Sequence, residues 1–292
     1  MTVKPVIYVG VDGSWRDTGA LEWALQESLL RREPLRAVHV IEEKLRHAPY
    51  WEPTVIDDAA MDLVKDVQKH LDAAPGRLDH EMDLLVGPPA RTLTEVAADS
   101  RMLVLGRRGM GAFKRLLIGS TSEQATTEAA VPVVVVPDSW KPSDHAGPVL
   151  VAVDDSERHE AVMEFAVAAA IERGLPLRLV HVWDLPNVYS WDAMNIADIS
   201  DEWEQNARRH ADEVAKPWRT EHPGLTIEVD LRRGHPVDGV VTAAAEADAQ
   251  LLVVGGHKHR RVTTMLLGSV ARGVLHHATC PIAVVHARRD DS

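Results

Sequence analysis

Two apolar runs, each closed by an aspartate, stand 142 residues apart: Val6-Ile7-Tyr8-Val9-Gly10-Val11-Asp12-Gly13-Ser14 and Val149-Leu150-Val151-Ala152-Val153-Asp154-Asp155-Ser156. Pro34-Leu35-Arg36-Ala37-Val38-His39-Val40 and Pro176-Leu177-Arg178-Leu179-Val180-His181-Val182 repeat at the same spacing. The offset then widens to 147 at Glu81-Met82-Asp83 and Glu228-Val229-Asp230, and to 149 at Leu103-Val104-Leu105-Gly106 and Leu252-Val253-Val254-Gly255. Gly119-Ser120 and Gly268-Ser269 keep that last spacing, so the drift is explained by insertions of five and two residues in connecting segments. A chain written twice in this way folds as one architecture twice. Its 292 residues suit two domain cores better than one.

Within the first copy, continuous apolar runs at 5–11, 35–41, 102–106 and 133–137 read as strands buried on both faces, and 81–86 as a weaker strand. Between them, Trp15 to Arg31 places Ala20, Leu21, Ala24, Leu25, Ser28 and Leu29 on one helical face, and 57–72 and 90–98 are also helical in pattern. Strand and helix in alternation imply parallel strands joined by right-handed crossovers, an α/β fold with a Rossmann-like doubly wound sheet in each copy. Asp138 to Gly147, rich in Pro, Ser, Asp and Gly, reads as a linker, which sets a first domain at 1–138, a linker at 139–147 and a second domain at 148–292.

Charge and cysteine narrow the function classes. With 44 acidic against 32 basic side chains, the net charge of −12 repels a nucleic-acid backbone or an anionic bilayer, so neither is an expected partner. The start of the chain has no signal-peptide core, and nowhere do about 18 apolar residues run together. The one cysteine, Cys280, precedes an apolar run and reads as a small buried side chain. A cytoplasmic location is the expectation.

The chemistry concentrates after the fourth strand of the first copy, in Gly106-Arg107-Arg108-Gly109-Met110-Gly111 and, after Ala112 to Ile118, Gly119-Ser120-Thr121-Ser122-Glu123. Glycines let backbone N–H groups approach an anion, by positive φ or by the missing Cβ. Ser120 with Glu123 has capping-box spacing, so a helix is predicted to begin there with its positive dipole end toward the loop. Arg107, Arg108, Lys114 and Arg115 add local positive charge to an acidic chain. The two structural alternatives, tight turns and a simple helix cap, are weakened by the length of the pattern.

The spacing G-x2-G-x9-G-S from Gly106 through Gly109 to Gly119-Ser120, the opening Val-Gly-Val-Asp-Gly-Ser, the Val-His-Val second strand and the closing Val-Pro-Val-Val-Val-Val resemble the universal stress protein family, over both copies. The resemblance implies a five-stranded sheet of order 3-2-1-4-5 with ATP at the switch between the first and fourth strands, in keeping with the rule for doubly wound sheets. Carried over by position, Asp12 lies against the nucleoside and Val40 offers backbone groups to adenine, while Gly106, Gly109, Gly119, Ser120 and Thr121 hold the phosphates. Asp12 also reads as a turn-former after a strand. A carboxylate beside ATP is tolerated when it bonds a hydroxyl or shares a cation, which brings in Mg²⁺.

The second copy keeps Asp154, Val182, Gly255, Gly268 and Ser269, but Lys258 stands where Gly109 stands and Arg272 replaces the glutamate of the box. Weaker or altered binding is expected there. His257 and His259 lie among cations and read as a solvated loop rather than metal ligands. His39 and His181, one per second strand, read as hydrogen-bonded core histidines. The last strands, Val133 to Val136 and Ile282 to Val285, would be apolar edges in the implied order and are expected to pair, with Trp51, Tyr189 and Trp191 as candidates for further self-association into a homodimer. No G-x-S-x-G elbow or Cys/His nucleophile pairing is present. Three functions follow: a stress-responsive ATP-binding regulator with at most slow hydrolysis, an adenine-nucleotide α-hydrolase-like enzyme, or an interaction module without nucleotide.

Overall fold

A computed structural model describes residues 5–43, 53–76, 78–109, 117–142, 147–156, 159–185, 196–256 and 267–286. The chain forms two compact units, the first built on residues 1–143 and the second on 144–255 with 268–292. Both are α/β, with parallel-stranded sheets.

In the first unit the strands are β1 (Ile7–Gly10), β2 (Leu35–Ile41), β3 (His80–Val86), β4 (Met102–Gly106) and β5 (Val133–Val136), ordered β3-β2-β1-β4-β5. Every registered neighbour pair is parallel. The four valines of β5 are fully buried, as are Met102, Leu103 and Val104 of β4. Branched side chains fit such a site because the pleated sheet restricts χ1 little beyond what branching already does. β3 buries only Met82 well, the reason its sequence signal is weak.

The helices are α1 (Trp15–Thr18), α2 (Ala20–Arg31), α3 (Pro53–Asp72), α4 (Pro89–Val96) and α5 (Ser120–Glu128). The single helix read over Trp15 to Arg31 is broken at Gly19, which takes φ +67° and would bring a Cβ to 2.9 Å from Cε3 of Trp140. Tertiary packing here overrides helical periodicity. Beyond the break, α2 buries Ala20, Leu21, Ala24, Leu25 and Ser28 as its spacing requires. The buried Ser28 hydroxyl donates to the Glu33 carbonyl, so the polar atom on this face is satisfied. Glu33 in turn accepts a forked pair of bonds from Arg101, with Nη2 at 2.6 Å, tying the entrance of β4 to the turn before β2.

The second unit repeats the plan with β6 (Val149–Val153), β7 (Leu177–Trp183), β8 (Ile227–Arg233), β9 (Leu251–Gly256) and β10 (Ile282–His286), ordered β8-β7-β6-β9-β10. Its helices are α6 (Glu160–Arg173), α7 (Ile196–Glu221), α8 (Pro236–Glu246) and α9 (Ser269–His277). Among the described residues no helix is long and apolar enough to cross a membrane. Trp51, Tyr189 and Trp191 lie outside the described residues.

Two outcomes follow from this packing. Leu103→Ala, in a fully buried site of β4, is expected to lower the stability of the first unit by roughly 2–5 kcal/mol in urea denaturation of the whole chain. Burial pushes the Cys280 thiol up to about 12. A disulfide reagent at mildly alkaline pH is therefore expected to label it in denaturant only, and rapid labelling of the native protein would contradict that burial.

Candidate functional site

The site of the first unit begins where β1 leaves the sheet. The last registered pair with β2 is Gly10 with Val38, and the Val11 N–H then donates to the Val38 carbonyl at 2.9 Å. A parallel strand alternates the side to which its residues bond. Val38 faces β1, so Val40, two residues on, turns its N–H and C=O to that side beyond the last pair. His39 closes the same corner, its Nδ1 donating to the Val11 carbonyl at 2.9 Å, which agrees with a hydrogen-bonded histidine.

Asp12 comes next, and its two oxygens do different things. Oδ1 accepts from the Ser14 N–H at 2.9 Å and the Ser14 hydroxyl at 2.5 Å, the turn predicted for an aspartate after a strand. Oδ2 faces the glycine loop: a Cβ added at Gly109 would sit 2.2 Å from it. Gly106 is equally confined, since a Cβ there would come within 2.8 Å of the Thr18 Cβ. Neither Gly106, Gly109 nor Gly119 has a positive φ. The positive-φ explanation for these glycines is thus corrected: close approach excludes a side chain at Gly106 and Gly109, and handedness plays no part.

The two ends of the loop are drawn together by the backbone. The Arg107 N–H donates to Val136 and the Gly119 N–H to Arg107, both at 2.8 Å. Gly119 thereby lies beside Arg108 and Gly109, 3.8 Å separating its notional Cβ from the Gly109 nitrogen. Helix α5 starts at this junction with Gly119, in extended conformation, as its N-cap. The capping box expected from Ser120 and Glu123 is absent, because Ser120 is already the first helical residue and the cap position holds a residue without a side chain. Gly119 therefore gives this terminus no side-chain cap. Its leading N–H groups, those of Ser120, Thr121 and Ser122, point out of the helix end as in any first turn. The Ser122 hydroxyl instead donates to the Gly106 carbonyl at 2.7 Å and pins the helix to the end of β4.

Charge is distributed differently from the sequence expectation. Arg108 is engaged by Asp138, its Nε 2.5 Å from Oδ2. Arg107 is about half buried, and loss of hydration holds its guanidinium below the usual range, with Asp138 opposing that effect. Asp138, read from sequence as the first linker residue, and Trp140, which backs Gly19, belong to the packing of this corner. Their position directly after β5, at the same end of the sheet as Gly106, was the available signal. Met110, Gly111, Lys114 and Arg115 lie outside the described residues.

The second unit places its counterparts alike. The Ser156 N–H donates to Asp154 Oδ1 at 2.9 Å. Leu177 donates to Thr226 on the β8 side, so by alternation Val182 turns its backbone groups toward β6, past the final pair of Val153 with His181. Gly268 caps α9 with no side-chain bond and Ser269 is the first helical residue, as in the first unit, so Arg272 does not replace a functioning box. A Cβ at Gly255 would make an ordinary 3.4 Å contact with Val162, a looser fit than at Gly106. His181 Nδ1 donates to Val153 at 3.1 Å, matching His39. His257, Lys258 and His259 lie outside the described residues. Among those described, no three His, Cys, Asp or Glu side chains are placed to hold a metal ion.

The Asp12–Gly109 approach makes a quantitative prediction. Gly109→Ala should cost about 1–3 kcal/mol by forcing the carboxylate aside. Most of that cost should return in the Asp12→Ala, Gly109→Ala double variant. A denaturation cycle showing additivity within about 0.5 kcal/mol would mean that the two positions do not touch.

With this geometry in view, comparison with known proteins is informative. The profile of the universal stress protein family matches residues 5–137 and again 146–286. A universal stress protein of Mycolicibacterium smegmatis is 33% identical over 291 residues, covering 97% of each chain. The crystal structure of a universal stress protein from Archaeoglobus fulgidus superimposes with a TM-score of 0.70 at 22% identity, over 96% of this chain and 97% of that one. A universal stress protein from the same organism solved in complex with dAMP matches 48% of this chain and 97% of its own at 30% identity, with a TM-score of 0.31. The chain belongs to the universal stress protein family and carries that family's domain twice in tandem.

Proposed function

We propose that the first unit binds ATP at the open end of β1 and β4, and that the protein acts as a stress-responsive regulator whose conformation or association depends on the bound nucleotide, with hydrolysis at most slow. One observation carries the reading: the loop after β4 brings Arg107, Arg108 and Gly109 beside Gly119 at an α5 terminus whose cap residue has no side chain. A helix start of this kind, with glycines letting the backbone come close, attracts phosphate through N–H groups and the helix dipole. Gly106, Gly109, Gly119, Ser120 and Thr121 would hold the phosphates. Asp12 would meet the ribose through the oxygen facing the loop, and Val40 would read adenine through the backbone groups that outrun β1. Family membership supports the same assignment.

Magnesium fits this donor set only through the nucleotide. A hard cation takes oxygen ligands, and Asp12 Oδ2 beside the phosphates would supply one of them. In the second unit Asp154, Val182, Gly255, Gly268 and Ser269 form the corresponding set, and Lys258 in place of glycine makes its nucleotide affinity the weaker of the two. That departure is also what favours the rival reading, an interaction module in which one copy has given up nucleotide.

Gly119→Ala separates these. Among the described residues beyond its chain neighbours, no atom lies closer than 3.5 Å to the notional Cβ, and φ is −74°, so alanine is expected to cost the fold about 1 kcal/mol for the poorer cap. A phosphate seated on the neighbouring N–H groups does not accept it. Calorimetry in magnesium buffer is expected to show ATP binding to the unaltered chain and at least a tenfold loss at the first site of the variant. Silence toward ATP in the unaltered chain would remove the proposal, and mass spectrometry of the purified protein would then distinguish AMP or an adduct, pointing to an α-hydrolase-like enzyme, from no nucleotide, pointing to an interaction module.

A further inference from the structure

The first residues after β5 stay beside the candidate site. Trp140 donates its N–H to the Pro137 carbonyl at 2.9 Å, so Asp138 and Ser139 form the middle of a tight turn. Two side chains of that turn reach the two halves of the site. Asp138 takes Nε and Nη2 of Arg108 on one oxygen, Oδ2. Trp140 backs Gly19, its Cε3 2.9 Å from the notional Cβ there, and Gly19 closes α1, whose Trp15 N–H donates to the Asp12 carbonyl at 3.0 Å. Arg108 belongs to the described part of the glycine loop. Its Cα lies 3.7 Å from the notional Cβ of Gly119 at the start of α5, and its carbonyl oxygen 3.2 Å from that of Gly106.

The Arg108–Asp138 pair is of a kind that exchanges partners. Its side chains are 39% and 23% exposed, so water screens the attraction and the pair is weak. Both arginine nitrogens converge on Oδ2, while Oδ1 is buried and accepts no hydrogen bond among the described residues. This falls short of the forked geometry in which a guanidinium engages two oxygens at once. A phosphate offers that geometry together with more charge. Because the Arg108 Cα already lies beside the start of α5, a side-chain rotation carries the guanidinium from one anion toward the other. Asp138 then keeps the influence of Arg107 but loses the two N–H groups that Arg108 gives it, and a carboxylate so left turns toward water. The second unit cannot repeat this pair, since His257 stands for Arg108 and Ala287 for Asp138. It belongs to the copy whose last strand runs on into the segment joining the two units.

We propose that Asp138 competes with the phosphates of the nucleotide for Arg108, so that filling the first site releases the turn at 137–140 and loosens the start of the segment leading to the second unit. This rests on the nucleotide reading of the first unit. Asp138 is then a positioning residue that lowers nucleotide affinity, because every phosphate contact of Arg108 is made at the expense of the carboxylate. The same exchange turns occupancy of the site into a change of backbone beyond it, at the one turn that touches both the glycine loop and the end of α1 among the described residues.

Hydrogen exchange read by mass spectrometry on the full chain, with and without saturating Mg·ATP, follows the turn through the Trp140 amide. Exchange over residues 137–142 is expected to rise roughly threefold or more on binding, whereas a ligand that merely docks slows exchange or leaves it alone. Asp138→Asn removes the competing charge, so calorimetry is expected to show ATP bound about two- to fivefold more tightly, the equivalent of a screened ion pair. In that variant the turn should exchange quickly before any ATP is added. ATP binding with exchange at 137–142 unchanged or slowed overturns the proposal and leaves nucleotide binding intact. An Asp138→Asn chain that binds ATP no more tightly than the unaltered one does the same. No ATP binding to the unaltered chain overturns the underlying reading as well. Should Asp138→Asn fail to fold, the exchange comparison on the unaltered chain decides alone.

Discussion

A strand buried on both faces has nowhere to do polar chemistry except at its ends. β1, β4 and β5 of the first unit are such strands, with almost every side chain withdrawn from water. Because the strands run parallel, their C-terminal ends fall on one side, and the chain leaves β1 and β4 toward opposite neighbours, β2 and β5. In the gap between those departures backbone N–H groups, a carboxylate and a helix terminus can meet without a hydrophobic layer between them. The Asp12 turn, the glycines after β4 and the start of α5 are all arranged around that gap.

Within the gap, space rather than conformation selects the residues. Gly106 and Gly109 are pressed by Thr18 and Asp12, whereas Gly119 has ordinary clearance from the described residues and an unstrained backbone. A glycine that the protein's own packing does not demand, at a cap where serine or asparagine would serve the helix better, is intelligible if something else must approach it. The Arg108–Asp138 pair shows the opposite economy: a cation that sequence alone would assign to phosphate is engaged by a carboxylate from the segment after β5.

Duplication lets the same frame carry different side chains at matching places. The units share the Asp-x-Ser turn, the histidine bonded to the end of the first strand, and the glycine-capped helix. They diverge at residues that the frame does not constrain, such as Asp17 against His159 and Gly13 against Asp155. Changes there leave the sheet untouched and alter only the charge carried beyond the first strand of each unit. A repeat of this kind separates what the fold needs from what each site does with it.

Much of the architecture was legible in the amino-acid order because its cause is local: apolar runs of strand length, helical spacing between them, and the whole pattern written twice. The candidate site residues were legible for the same reason, since each sits at the end of a strand or the start of a helix. The break at Gly19 was not, because it depends on Trp140, more than a hundred residues away. Nor was the missing capping box, which turned on a one-residue shift in where α5 begins, nor the gathering of His159, His181 and His210 from three separate elements. Periodicity and spacing record how a segment buries itself; which distant side chains then share a corner is decided only when the elements pack, because that depends on distances the linear order does not contain.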